Sequence, residues 1–295
     1  MKLSASDFSF QIFCFLFLAL GGAIVAYPLL YVISCSFSSP NAIAVGKVIL
    51  WPVDLNISSY RAVLNHPMLR SGFFNSLFYV AGGTTVAVSL ILLCAYPLSQ
   101  RDLPDRKIFL AFFVITMFFS GGLVPSYILM RNLGLVGSRW ALVIGAGFSC
   151  YNMIIVKTYF QNNLPSTLLD AAHIDGCGDV RFFLTFALPL AVPVIAVMVL
   201  FNAVGMWNGY FSGMLYLTRS NTFNFQMVLR DILFISQMPA ETIAIIDPHG
   251  LAALTELYQQ LRYAVLVVGA LPMMLLYPFI QQYFIRGIMI GSLKE

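Results

Sequence analysis

Leu164-Pro-Ser-Thr-Leu-Leu-Asp-Ala-Ala-His-Ile-Asp-Gly-Cys-Gly-Asp-Val-Arg-Phe-Phe-Leu-Thr-Phe-Ala-Leu-Pro189 is the stretch on which the reading of this chain turns. It gathers Asp170, His173, Asp175, Asp179 and Arg181 between two long segments that carry almost no charge. Pro165 suits the first turn of a helix, where its missing N–H is not needed. Ser166 to Ile174 can then complete about two turns, and Gly176 supplies a left-handed stop. Gly178-Asp179 can cap a second helix that runs into Pro189. The spacing predicts two short helices at an angle, lying in the plane of a membrane surface. Ala171 and Ala172 are small enough to let a partner's cleft come close. Two readings fit this pattern: a docking element for a partner in water, and an ordinary interfacial linker helix.

The flanks of that stretch set the class of the chain. Of 295 residues, 60% are hydrophobic and only 9% charged, with a mean hydropathy of +0.86. Soluble domains carry about a quarter charged residues, so most of this surface cannot face water. The chain reads as an integral membrane protein. A net charge of +4 asks for no nucleic acid and fits Lys and Arg snorkelling to headgroups. The five cysteines, Cys14, Cys35, Cys94, Cys150 and Cys177, show no paired spacing and read as small apolar fillers.

Runs free of Asp, Glu, Lys and Arg cover 8–46, 71–100, 108–130, 140–156, 182–218 and 263–285. A spanning helix needs roughly 20 residues, because each adds about 1.5 Å across about 30 Å of hydrocarbon. Five runs reach that length, and Lys157 can snorkel to extend the run at 140–156. The expectation is an all-α polytopic membrane protein, one transmembrane domain over 1–295. Its six helices fall at about 9–36, 73–98, 108–130, 140–161, 190–209 and 262–284, the third interrupted by Gly121-Gly122 and Pro125. The polar segment 164–189 joins the fourth to the fifth. A short interfacial helix is expected near Ser58 to Leu64, and an aqueous loop over 212–261. Gly82-Gly83 lets a neighbouring helix approach closely. With both termini inside, eight Lys and Arg fall on each side. The dense turn Arg101 to Lys107 decides for the inside, because the rule weighs short loops.

No energy source is written in the chain. There is no phosphate loop, since Gly82-Gly83-Thr84-Thr85 lacks the Lys and sits in an apolar run. No metal-ligand spacing occurs. No Asp, Glu, Lys or Arg lies at bilayer depth, where proton-coupled carriers keep a titrating relay. Sodium coupling through carbonyls and hydroxyls stays open. A membrane-embedded enzyme would need paired catalytic polar residues at that depth, and none is present. Energy is therefore expected to arrive from another polypeptide, through the polar segment.

At this point a resemblance enters. Asp170-Ala171-Ala172, three residues, Gly176, nine residues, Phe186, one residue and Leu188-Pro189 resemble the Glu-Ala-Ala loop of bacterial ABC importer permeases. Asp170 replaces the usual Glu, and Phe186 the usual Ile. The order of helices, Ala95-Tyr96-Pro97-Leu98-Ser99, Trp207-Asn208-Gly209-Tyr210-Phe211 and the tail from Tyr283 to Gly291 resemble the maltose-permease type. Phe119 to Pro125 and Ile174-Asp175-Gly176-Cys177 are similar to permeases for complex oligosaccharides of Gram-positive bacteria.

The resemblance implies the transmembrane domain of a type I ABC importer in a bacterial plasma membrane, with both termini cytoplasmic. It implies a carbohydrate transport subunit, not an enzyme. Its partners would be a second permease subunit, two cytosolic ATPase subunits and an extracytoplasmic solute-binding protein. The chain itself would bind no cofactor, ATP and Mg being used by the ATPase. Asp170, Ala171, Ala172, His173, Asp175, Gly176, Leu188 and Pro189 would form the ATPase-coupling element. Gly291, Ser292 and Lys294 in the tail would also reach the ATPase. Trp207, Asn208 and Tyr210 are candidates for the gate or sugar contact, since sugars offer CH faces and hydroxyls to aromatics and amides. Trp and Tyr also belt any membrane interface, and Asn208 also suits a helix end. An ion-coupled carrier and an ABC permease for a non-sugar solute are the alternatives.

Overall fold

The computed structural model describes residues 5–237, 261–279 and 281, and among them there are helices and no strand. The chain divides into two compact units, Met1–Arg70 with Leu229–Leu271 and Ser71–Val228 with Pro272–Glu295.

In the first unit, α1 (Ala5–Ser36) runs unbroken through Pro28. Its apolar side chains from Phe10 onward are largely exposed, the kind of surface that lipid or another subunit covers. The following loop folds back on its end through buried serines. Ser38 Oγ donates to Ser34 O (2.7 Å) and accepts from Val53 N (3.0 Å), and Ser36 Oγ lies 2.7 Å from Tyr60 OH. Two short helices, α2 (Pro40–Ala44) and α3 (Ser58–Asn65), lie in this region, the second where an interfacial helix was expected. Cys35, Ala42 and Val48 form a small core with Tyr31 and Tyr263, whose rings meet edge-on at 6.2 Å.

The spine of the second unit is α4 (Pro67–Ser99) from Ser71 onward; the helix starts at Pro67 and not near residue 73, because proline is tolerated at the first helical position. Gly82 lies against Val143, and Gly83 against Met206 and Ala146, so the glycine pair admits two neighbours at once.

The expected third helix is two. α5 (Arg106–Phe118) and α6 (Leu123–Asn132) meet at 111°. Phe119 turns extended and Gly122 takes φ +84°, a left-handed value that glycine adopts freely. The expected fourth helix is also two, α7 (Trp140–Gly145) and α8 (Cys150–Asn163). Gly147 at φ +72° ends one, and Ser149 caps the next by accepting from Asn152 N (3.3 Å). Next come α9 (Ser166–Ile174), α10 (Asp179–Leu190) and α11 (Val192–Trp207), the last two meeting at 77°. The expected aqueous loop begins as α12 (Tyr210–Tyr216) and α13 (Phe225–Ile235), while 238–260 lies outside the described residues. α14 (Leu261–Phe279) occupies the start of the sixth expected span.

Among the described residues, three helices are long and apolar enough to cross a membrane alone, or up to five elements if each bent pair counts as one span.

Candidate functional site

The first short helix, α9, occupies Ser166–Ile174, the span expected for it. Pro165 is the N-cap, with extended backbone, and α9 begins at Ser166. α9 ends at a fully formed left-handed cap. Gly176 has φ +75°, its N–H donates to His173 O (3.0 Å), and Cys177 N–H donates to Ala172 O (2.9 Å). These two bonds satisfy carbonyls that would otherwise be orphaned, and they aim the chain into its next helix. On the outer side of this elbow, His173 Nε2 and Asp179 Oδ1 are 3.0 Å apart.

α10 is α-helical from Asp179 to Phe182, π-helical from Phe183 to Ala187 and α-helical again to Leu190. Pro189 explains the wide turn. An α-helical Pro189 lacks the N–H that position 185 would accept, and its ring would press on that carbonyl. The extra residue, with Leu188 N bonded to Phe183 O, relieves both. The helix therefore carries past Leu188-Pro189 and does not stop there.

The segment has two distinct faces. Inward, Ala172, Phe182, Phe183 and Ala187 belong to the same buried cluster as Tyr96, Phe160 and Met198, with Leu168, Leu169 and Cys177 packed on it. Tyr96 touches Phe160 edge-on (5.7 Å) and Phe183 at a tilt (4.8 Å). Ala172 thus faces its own core, correcting the expectation that both alanines meet a partner; its small size brings α9 close to the bundle. Outward stand Asp170, Ala171, His173 and Asp175. Ile174 is 87% exposed, the highest value among the described large hydrophobics, and Val180 is 74% exposed.

Asp170 lines a cleft of about 700 Å³ together with Gln100, Arg101, Asp102, Gln161 and Ser166. Among the described residues, it makes no hydrogen bond or ion pair of its own. The cleft's floor is tied to α4: Arg106 Nε donates to Leu98 O (2.9 Å) and Gln161 Nε2 to Ser99 O (3.3 Å). Side chains from two other elements thus satisfy the last carbonyls of α4.

The other end of α4 is built differently. Trp207, expected at a gate, is 1% exposed and packs against Phe73 (5.7 Å, edge-on) and Phe225 (5.9 Å, stacked). Its ring is part of the core. Asn208 is the C-cap of α11 and is exposed, while Tyr210 OH donates to Met214 Sδ (3.0 Å). Buried amides and hydroxyls that sequence reasoning missed hold this corner. Asn75 Nδ2 donates to Asn221 O (2.9 Å) and Phe223 O (3.0 Å), and Tyr79 OH to Thr222 O (2.6 Å). Phe225 N donates to Ser76 Oγ (2.8 Å), and Asn224 Nδ2 to Gly209 O (3.1 Å). A signal was available, since 75, 76 and 79 fall on one helical face of an otherwise apolar run.

Beside this corner is a cavity of about 240 Å³ lined by Tyr79, Asn202, Met206, Gly209, Ser212 and Tyr216, among others. Asn202, Ser212 and Tyr216 were not expected there. Tyr216 stacks on Tyr127 at 6.3 Å. The described residues hold no cluster of His, Cys, Asp and Glu fit for a metal. Gly291, Ser292 and Lys294 lie outside the described residues.

No protein-family model matches the chain. It is 36% identical over 285 residues to Protein LplC of Bacillus subtilis, covering 97% of this chain and 95% of that one. It is 35% identical over 285 residues to the polygalacturonan/rhamnogalacturonan transport system permease protein YtcP of the same organism, covering 97% and 98%. A maltodextrin transport system permease protein, MdxG, also of Bacillus subtilis, is 27% identical across 100% of both chains. Among solved structures, the crystal structure of a bacterial ABC transporter involved in the import of the acidic polysaccharide alginate aligns with a TM-score of 0.85. That match is 29% identical and covers 96% of this chain and 99% of the other. Such subunits are membrane transport proteins and not enzymes, and they work with ATPase and solute-binding partners. With more than a third of its residues identical to such relatives over nearly its full length, the chain belongs to the permease subunits of ABC carbohydrate importers.

Proposed function

We propose that this permease carries an oligosaccharide across a bacterial plasma membrane with both termini cytoplasmic. It would act as one of two permease subunits over a pair of cytosolic ATPases that use ATP and Mg. An extracytoplasmic binding protein delivers the sugar. The observation that carries the reading is the two-faced polar segment. Its inner face is welded to the core shared by α4, α8 and α11, and its outer face offers Asp170, His173, Ile174, Asp175 and Val180 to water. An exposed Ile and Val flanking a polar elbow suit a protein partner better than solvent. A push on that face moves the shared core with it, the requirement for rigid-body alternation between inward-open and outward-open states.

For the sugar path, the support comes from the 240 Å³ cavity. Tyr79, Tyr216, Asn202 and Ser212 line it, and aromatic rings, an amide and a hydroxyl are the groups that suit CH faces and hydroxyls of a sugar. The substrates named for the relatives, polygalacturonan, rhamnogalacturonan, maltodextrin and alginate, agree on carbohydrate chains and differ in charge.

The test is Gly176→Pro and Asp170→Arg in the assembled transporter. Proline cannot take the φ of +75° that the elbow uses. Both variants should insert in the membrane yet lose ATPase assembly or hydrolysis-linked uptake. Normal uptake in both would refute the coupling assignment.

A further inference from the structure

We infer that the His173–Asp179 pair is the strut that fixes the angle of the coupling elbow, and so a positioning pair for the transmission of ATP-driven motion. This rests on the reading of 164–189 as the ATPase contact. Three observations carry it. The pair joins the last turn of α9 to the first residue of α10, bridging the one glycine hinge between them at 3.0 Å. On the inner side, the elbow is fixed by the two cap bonds and by Cys177 and Ala172 against the core. On the outer side, Gly176 and Gly178 have open space where a Cβ would stand, so no other element packs on the hinge at either glycine.

A partner pressing on Ile174 and Val180, one on each side of the hinge, loads this elbow directly. Without the strut, part of the imposed motion is spent bending at Gly176. With it, the two helices move as one piece. An exposed pair adds little to folding stability, so its role is geometric. Asp179 also sits in the first turn of α10, where a carboxylate is favoured by the helix dipole. A double-mutant comparison separates that contribution from the pair itself.

The experiment uses the whole transporter in proteoliposomes, in a background free of native cysteines and carrying Ser212→Cys in the cavity. The readouts are co-purification of the ATPase, MgATP turnover, and the rate at which MgATP with vanadate changes maleimide labelling of that cysteine. His173→Ala and Asp179→Ala should each slow the labelling change by about two- to fivefold, the size an exposed pair supplies. The double variant should be no slower than either single one. His173→Gln, which keeps a donor, should restore most of the rate.

Wild-type rates in either alanine variant, or a double variant slowed by the product of the single effects, would overturn the strut. If Gly176→Pro and Asp170→Arg abolish the response while the alanine variants respond normally, the strut alone falls. If all four leave assembly and response intact, the coupling reading falls and takes the strut with it.

Discussion

The two ends of α4 are secured by opposite means. At the Ser99 end, the polar segment hangs on apolar packing, Tyr96 with Phe160 and Phe183, and keeps its charges and its most exposed aliphatic groups outside. At the Asn75 end, an amide, hydroxyls and an aromatic sandwich are buried together, and each polar side chain reaches backbone. Buried polar groups with all partners satisfied hold one geometry, because any shift leaves donors unpaired in an apolar medium. Apolar packing with an exposed polar face leaves the outer surface free for a partner. One end is therefore built as a clamp and the other as a handle.

Substitutions can break this comparison. The largest effect should come from Trp207→Ala. Removing a fully buried indole should cost about 3–5 kcal/mol, seen as a lower melting temperature of the purified protein. Affinity for the ATPase per folded molecule should be unchanged. A gate role would instead alter transport with little loss of stability. Next, Tyr79→Phe leaves Thr222 O without its donor and should cost about 1–3 kcal/mol by the same measurement. Asn224→Ala should fall in the same range, since Asn224 is 2% exposed and caps both Gly209 O and Met227 N. The smallest effect on folding should come from Ile174→Ala, within about 0.5 kcal/mol, as for an exposed site. The same variant should weaken ATPase assembly. A melting shift as large as that of Tyr79→Phe would mean that position 174 is part of the clamp-like core.

The sequence was informative where charge and glycine speak, and silent where only direction matters. The charge-free runs located α1, α4 and the start of α14 closely, since burying charge in hydrocarbon is costly. Charge alone does not mark the breaks at Phe119 to Gly122 or Ala146 to Ser149. The first was legible in Gly121-Gly122 and Pro125, which interrupt the expected third helix, whereas Gly147 sits in a run apolar enough to look continuous. In the polar segment, the two helices and the left-handed Gly176 followed from local chemistry, but the π turn before Pro189 did not. The burial of Trp207 was not legible for a related reason. Apart from Asn202, α11 is apolar, so periodicity does not say which face meets the core. The buried amides were legible only as a spacing, Asn75, Ser76 and Tyr79, whose partners lie more than a hundred residues away.

The most direct measurement is site-directed cross-linking in the assembled transporter without native cysteines. Single cysteines replace Ile174, Val180 or Asn221 in turn, and a short bifunctional reagent is added. The account predicts links from 174 and 180 to the ATPase subunit and none from 221. A link from 221, or the absence of links from both 174 and 180, would contradict it.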